Sequence, residues 1–589
     1  MRADRTFELS AGATLLAPGR TRFRLWAPTQ DRVELVRAGA PPAAMRAAGG
    51  GWFETEADCG AGTLYRYRLA DGLEVPDPAS RFQPQDPFGP SMVVDAAAYR
   101  WRHPQWRGRP WGEAIVYEIH AGLAGGFAGV ARALPRLARL GITAVELMPV
   151  AEFPGRRNWG YDGVLPYAPD AAYGTPDQLK ALVDAAHGHG LMMLLDVVYN
   201  HFGPDGNYLA AYAPQIMRRD RPTAWGESLD FSQAELRRFF TENVLYWLME
   251  YRFDGLRLDA VHAIGDPGWL DETADAARRA AGPDRHVHLV LEHDGNEAAH
   301  LRRGFDAQWN DDAHHALHVL LTGESEGYYA DYADAPAVRL ARCLAEGFAY
   351  QGEPSAHRGG ERRGTPSADL PPTAFVLFLQ NHDQIGNRAF GERLTAIADP
   401  AALEAAIALQ LLAPQIPLLF MGEEDASRTP FLYFTDHRPP LDDAVREGRR
   451  REFARFAAFA DPARREKIPD PNAEATFRGS VPAADPERAR SRRALYRKLL
   501  AIRRSEIVPR LDGARALGAA AAGPAAVVAR WRLGDGLVLT IATNLGPEQV
   551  TCDPPVGSPL FATRRPAVGA LRRGSIPPHT TAAFLERPA

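Results

Sequence analysis

The stretch Phe253–His262, FDGLRLDAVH, decides how this chain is read, because an otherwise apolar strand ends there in two ionised side chains. Parallel strands covered on both faces read as near-continuous apolar runs. Arg257 and Asp259 stand two apart and point the same way, so one face of a core-like strand carries a guanidinium and a carboxylate. Such a pair either ties down a strand end or belongs to a site, and the segments around it decide between the two.

From Trp111 onward, short apolar strands alternate with helical segments, the pattern of parallel βαβ units. The strand candidates are Ala114–Ile119, Ala144–Val150, Leu191–Val198, Gly255–Ala260, Val287–Glu292, Phe305–Trp309, Phe375–Gln380 and Ile416–Met421. Eight such units predict a (β/α)8 TIM barrel, an α/β fold whose active face is built at the C-terminal strand ends. The polar residues fall at that face. The third candidate ends in Asp196, Asn200 and His201, the fourth in Arg257 and Asp259, the fifth in Glu292, and the seventh in Asn381, His382 and Asp383. A single acidic strand end is ordinarily an ion pair or a solvated end; four converging on one rim point to a site.

The flanks have a different periodicity. Residues 1–105 alternate in segments such as Thr21–Trp26, Val33–Val36 and Leu64–Leu69, which predicts an N-terminal β-sandwich. Trp26, Trp52, Tyr65 and Tyr67 are expected to fill the space between its sheets rather than to form a carbohydrate platform. The catalytic barrel with its long loops is assigned to residues 106–505: Glu423–Pro486 reads as loops over the barrel mouth with a helix near Arg446–Phe459, and Ser491–Arg503 as a basic helix closing the barrel. Residues 506–589 return to β character in Val527–Leu533, Gly536–Thr543 and Thr580–Leu585, which predicts a C-terminal all-β domain.

Bulk composition narrows the function. A net charge of −5 carries no basic stripe for nucleic acid. The three cysteines, Cys59, Cys343 and Cys552, are too few and too scattered for a disulfide framework or a zinc ribbon. The sequence shows neither a secretory leader nor a run of about 18 apolar residues, so a cytoplasmic protein with no membrane partner is expected. The most apolar segment, Ala405–Met421, contains two prolines and reads as helix, loop and buried strand.

Carboxylates without a phosphate loop or a reactive thiol suit glycoside chemistry, in which one carboxylate attacks or stabilises the anomeric carbon and another protonates the leaving oxygen. Asp259 and Glu292 are the natural pair. Glu292 follows the apolar run Val287–Leu291, surroundings that raise a carboxyl pKa toward that of a proton donor; Asp259, beside Arg257, is expected to stay ionised. His314 and His318 stand at i, i+4 spacing near Asp311 and Asp312, a pattern that can bind metal. The glutamate-bearing metalloprotease pattern is absent, however, and no metal is expected. Gly49–Gly51 reads as a turn, and Arg449–Arg451 as a solvated helix face.

At these residues the chain resembles the α-amylase superfamily of retaining glycosidases and transglycosylases. Four signature regions stand in order: Asp196–His201 (DVVYNH), Gly255–His262 (GLRLDAVH), Leu289–Asp294 (LVLEHD) and Gln380–Asn387 (QNHDQIGN). The resemblance implies an early-set-like N-terminal β domain, a catalytic barrel and a C-terminal β domain. It implies Asp259 as nucleophile, Glu292 as general acid/base and Asp383 as the residue that steadies the distorted sugar. It also implies Arg257, His201 and His382 around the −1 sugar, Tyr161 stacked on it, and Asp196 bracing Arg257. Longer matches in Arg157–Pro166 (RNWGYDGVLP), Gln380–Leu394 (QNHDQIGNRAFGERL) and Thr429–His437 (TPFLYFTDH) are similar to a trehalohydrolase subfamily. They imply cleavage of the α-1,4 bond next to the terminal trehalosyl unit of malto-oligosyltrehalose, no cofactor, and a pathway partner, malto-oligosyltrehalose synthase.

The chain departs from common amylases in having His262 then Ala263 where many have Lys-His, so acceptor-side recognition differs; His262, Asp294, Asn296 and Gln384 are the candidates for it. The turn Gly122–Val130 is shorter than in the subfamily, and Met217–Asp230 matches its counterpart poorly. Asn200 belongs to a motif that helps bind calcium in many amylases, but no inserted domain follows strand three to complete a site. The rival readings are a glycogen branching or debranching enzyme and, from another class, a non-catalytic carbohydrate-binding barrel.

Overall fold

The alternation of Thr21, Phe23 and Leu25 with Arg22, Arg24 and Trp26 puts one face of the strand Arg20–Trp26 inside and the other outside. The computed structural model describes Phe7, residues 9–223 and residues 226–587. Ala224 and Trp225, within the poorly matching segment Met217–Asp230, therefore lie outside the described residues, as do residues 1–6 and Glu8 of the N-terminus. Near the N-terminus two antiparallel sheets form. One contains Gly12–Ala17, Arg20–Trp26, Trp52–Ala57 and Arg46–Gly49 in that spatial order; the other is built around Glu34–Arg37 and Leu64–Arg68. Phe23 of the first sheet meets Tyr65 of the second edge-on, with ring centroids 4.8 Å apart. Tyr65 and Tyr67 both donate to the buried Asp77, at 2.6 and 3.2 Å, and burial pushes that carboxyl up to about 6.

The expectation that four aromatics fill this core holds for Tyr65 and Tyr67 only. Trp26 pairs in register with Trp52 on the face opposite Phe23 and Leu25, where the Arg24 guanidinium lies 4.7 Å from the Trp52 ring centroid. The pleat decides this, because Trp26 has the parity of Arg22 and Arg24.

The centre of the chain is a closed barrel of eight parallel strands in sequential order: β1 (Val116–Ile119), β2 (Ala144–Leu147), β3 (Met192–Val198), β4 (Gly255–Asp259), β5 (His288–Leu291), β6 (Ala307–Trp309), β7 (Phe375–Phe378) and β8 (Ile416–Phe420). The sequence predicts all eight, and β6 is the shortest. Val116, Ala144, Leu194, Val290, Ala307, Val376, Ile416 and Leu418 pack together as an apolar floor inside the barrel. Two residues further along the same faces the inward positions become ionisable: Glu118, Glu146, Asp196 and Glu292, joined by Arg257 and Asp259. An apolar layer thus seals one end of the barrel and leaves the charged layer at the C-terminal mouth.

The helix over the mouth runs Leu441–Phe453, earlier than predicted from the sequence, and is followed by a short turn of helix at Ala457–Phe459. The basic helix spans Ala489–Ile502. Beyond it a sheet forms in the order Arg515–Gly523, Ala526–Arg532, Val538–Asn544, Thr580–Glu586, Ser558–Ala562. Its three central strands are those predicted. The two edge strands escape pattern reading because RALGAAAAG and SPLFA are poor in β-branched and aromatic residues. Buried Arg503, directly after the basic helix, ties that helix to the barrel by donating to the carbonyls of Leu411, Ala413 and Gln415. Ala405–Met421 resolves, as read, into the helix Pro400–Leu412 and β8. Among the described residues no helix is long and apolar enough to cross a membrane.

Candidate active site

The site is organised around one buried cation. Arg257 on β4 donates through Nη1 to both oxygens of Asp196 at 2.9 and 2.7 Å and to Asp259 at 2.7 Å. Its Nη2 lies 2.8 Å from Glu292. Three carboxylates from β3, β4 and the end of β5 therefore share one planar donor whose fork fixes their relative positions. Only 1% of the Arg257 side chain is exposed, against 13% for Asp259 and 19% for Glu292, so the cation is a foundation and the two acids, themselves largely buried, reach the cleft.

Local backbone completes the arrangement. Ala260, directly after β4, adopts a left-handed conformation with φ 41°. This costs free energy for a residue with a Cβ, and it turns the Ala260 N–H onto Glu292 Oε2 at 2.9 Å. Asn200 donates to Asp259 Oδ2 at 3.2 Å. After β7, the Asn381 side chain accepts from Gln384 N at 2.9 Å and starts the short helix His382–Gly386, which aims His382 and Asp383 at the mouth. Asn387 holds Asp383 Oδ1 at 2.5 Å. His201 Nε2 donates to the Tyr161 carbonyl at 3.0 Å, and the Tyr161 hydroxyl donates to Asp196 at 2.6 Å.

Burial raises the pKa of Glu292, opposed by Arg257 and reinforced by Asp259. The sequence anticipates that direction. Asp259 is also raised, because burial outweighs the pull of Arg257; the adjacent guanidinium alone does not hold it at the ordinary aspartate value. Asp383 is raised by burial too, with His382 opposing.

Asp259, Glu292, Asp383, Tyr161, His201, His262 and His382 all line one cleft of about 1300 Å³. The remaining acceptor-side candidates do not. Asn296 is buried, donating to Asp312 at 2.9 Å and accepting from Gln308 at 3.2 Å. Gln384 is buried in the short helix. Asp294 pairs with Arg358 and Arg363 beside the cleft. Proximity in sequence to a strand end placed these three at the mouth, but turns beyond β5 and β7 carry their side chains elsewhere. Of the residues weighed for metal, His318 bonds Glu324 at 2.7 Å, Asp312 accepts from Asn296, Arg363 and two backbone amides, and the buried His314 ring stacks on Phe378 with centroids 5.3 Å apart. Among the described residues no group of three or more His, Cys, Asp or Glu is placed to hold a metal ion.

Comparison with known proteins fits this geometry. The model of the α-amylase catalytic domain matches residues 82–221, and that of a domain of unknown function, DUF3459, matches residues 514–584. A malto-oligosyltrehalose trehalohydrolase of Deinococcus radiodurans is 44% identical over 511 residues, spanning 84% of this chain and 83% of the relative. The chain belongs to the malto-oligosyltrehalose trehalohydrolase family. A crystal structure of a putative α-amylase from Salmonella typhimurium superposes on this trehalohydrolase-family fold with a TM-score of 0.92 at 44% identity, covering 99% of this chain and 100% of that one. Likeness to a glycogen branching enzyme, GlgB of Nocardia farcinica, is partial: 37% identity over 41% of this chain and 36% of that protein.

For a trehalohydrolase-family chain, several residues at the mouth escape sequence reading. Glu118 and Glu146 sit inside apolar strands. Trp309 on β6 lies under Arg257, and its aromatic ring reads as core. The far wall of the cleft comes from Gly323–Tyr329, from Phe390 and from Val445–Arg464, including Phe453, Arg455 and Phe456. The helix Leu441–Phe453 and loops without periodicity supply these positions, and only the mixture of Phe and Arg in Arg449–Arg464 marks them.

Proposed function

We propose that this chain hydrolyses, with retention of configuration, the α-1,4-glucosidic bond next to the terminal trehalosyl unit of malto-oligosyltrehalose, releasing trehalose and a shortened glucan. One observation carries the reading: a single buried guanidinium holds Asp259 and Glu292 together at the floor of a cleft large enough for several sugars. In the first step an Asp259 oxygen bonds to the anomeric carbon while Glu292 gives its proton to the departing glycosidic oxygen, and trehalose leaves. In the second, water attacks that carbon, its proton passes to Glu292, and the bond to Asp259 breaks. Asp383, held by Asn387, binds hydroxyls of the distorted −1 sugar, and His201, His382 and Tyr161 surround it.

The same proposal places the enzyme in the cytoplasm, downstream of a synthase that makes its substrate. It divides the chain into an N-terminal sandwich (1–105), the catalytic barrel (106–505) and a C-terminal β domain (506–589). Chromatography of products from malto-oligosyltrehalose tests it. Free trehalose with no longer or branched glucans is expected. New α-1,6 branches point to a branching enzyme, cleavage only of α-1,6 bonds to a debranching enzyme, and binding without turnover to a non-catalytic barrel.

A further inference from the structure

His382 is hydrogen-bonded at both ring nitrogens. Nδ1 lies 2.5 Å from Glu118 Oε1, and Nε2 lies 2.8 Å from the Tyr161 hydroxyl oxygen. The other Glu118 oxygen accepts the His382 backbone N–H at 3.1 Å. Counting protons along this chain settles who donates. The Tyr161 hydroxyl has one hydrogen, and Asp196 takes it at 2.6 Å. Tyr161 oxygen is then an acceptor toward His382, so Nε2 carries a hydrogen. Nδ1 faces a carboxylate oxygen, an acceptor when ionised, and carries the second.

From this geometry we infer that Glu118, on β1, is a positioning residue that holds His382 as a doubly protonated imidazolium and thereby directs the chain of donors from His382 to Tyr161 to Asp196 at the −1 side of the cleft. The inference rests on the reading that His382 faces the −1 sugar. It adds to that reading a residue buried below the cleft and touching no substrate.

The surrounding charges agree. His382 is faced by Glu118 from β1, Tyr161 from the loop after β2, Asp196 from β3, Arg257 from β4 and its chain neighbour Asp383; neutral Trp309 of β6 packs beside it, with ring centroids 6.0 Å apart. Burial and Arg257 oppose a charge on the ring, and Glu118 is the foremost group favouring it, so that the net direction is upward from the ordinary histidine value. His120, also nearby, is pushed down to about 4 by burial and adds no competing cation at neutral pH. Glu146, in register beside Glu118, is raised well above the usual carboxylate range by burial and by its acidic neighbours. Its Oε1 has no hydrogen-bond partner. Burial thus disfavours the charged form of Glu146, and Glu118 is the acid that meets both the ring and the backbone N–H of His382.

Glu118→Gln separates charge from shape. A glutamine can donate its amide hydrogens to a bare Nδ1 while its oxygen still accepts the His382 backbone N–H, so every hydrogen bond survives with the ring neutral. The test is 15N NMR of protein labelled only at histidine, with the His382 resonances assigned by their loss in His382→Asn. In the native protein both His382 nitrogens are expected to remain protonated at pH 7. In Glu118→Gln the ring is expected to lose a proton at least about one pH unit lower, and kcat at pH 7 to fall about tenfold or more with melting temperature little changed. Glu118→Asp, which keeps the charge, is expected to recover part of both. A singly protonated His382 in the native protein, or an unchanged titration in Glu118→Gln, overturns the inference. The NMR readout does not depend on turnover, so it stands or falls apart from the assignment of substrate.

Discussion

The guanidinium carbon of Arg257 lies 4.2 Å from the ring centroid of Trp309. Arg257 thus has carboxylates at its donor edges and an aromatic face against its plane, a packing in which lysine is no substitute. A desolvated cation–π contact contributes about 2 kcal/mol, and Trp309 also prevents the cation from sinking away from Asp259. Trp309→Leu is expected to lower kcat/KM by roughly tenfold, while Trp309→Phe retains most activity. Steady-state kinetics with purified variants decides, and an unaltered Trp309→Leu enzyme contradicts the role given to the stack.

The two acids are separable by amide substitution. Glu292→Gln keeps the side chain's shape and its acceptor for the Ala260 amide but has no proton to transfer, so kcat is expected to fall by roughly 10²–10⁴-fold. Asp259→Asn removes the proposed nucleophile and is expected to cost at least as much. Circular dichroism and melting curves should match the parent in both cases. Near-parental turnover in either variant contradicts the assignment.

The pH profile follows from directions alone. Asp259 must be ionised to attack, and since its pKa is raised by burial, activity falls as pH drops through a value above the ordinary aspartate range. Glu292 must hold a proton, and since its pKa is also raised by burial, activity persists above the ordinary glutamate value and falls as pH rises through the shifted one. A bell-shaped kcat/KM profile is expected, with an alkaline limb above about 4.3. The two limbs belong to the interacting pair rather than to either residue alone. An alkaline limb near the ordinary glutamate value contradicts the burial argument.

How much of this was legible in the sequence depends on where each residue sits. The barrel shows because each strand is an apolar run of the right length, and the mouth shows because Asp196, Arg257, Asp259, Glu292 and Asp383 break those runs at one end. Glu118 and Trp309 remained hidden for opposite reasons. Glu118 is an acid flanked by apolar neighbours with no second charge to mark it, and Trp309 is an aromatic that any core accepts. Asn296 and Gln384 show the limit of counting from strand ends, since a single turn reverses a side chain. Trp26 and Trp52 show that alternation tells which residues share a face, but not which face is covered.

The proposed selectivity lies on the leaving-group side. Malto-oligosyltrehalose and a malto-oligosaccharide of equal length present the same α-1,4 bond, but the sugar beyond +1 is joined α,α-1,1 in one and α-1,4 in the other. Hydroxyls left unmatched against buried polar groups cost about 1–3 kcal/mol each, so a preference of about tenfold to a thousandfold for malto-oligosyltrehalose is expected. His262, the acceptor-side candidate that lines the cleft, is the determinant we propose first. His262→Ala is expected to narrow the ratio of specificity constants, and an unchanged ratio moves the determinant elsewhere on the wall.

The most direct measurement is a 1H NMR time course of purified protein acting on malto-oligosyltrehalose, because one spectrum reports both the leaving group and the stereochemistry. The account predicts the anomeric signal of free trehalose growing in step with a new reducing end that first appears as the α anomer and only later mutarotates. A first-formed β anomer, or loss of substrate without free trehalose, contradicts it.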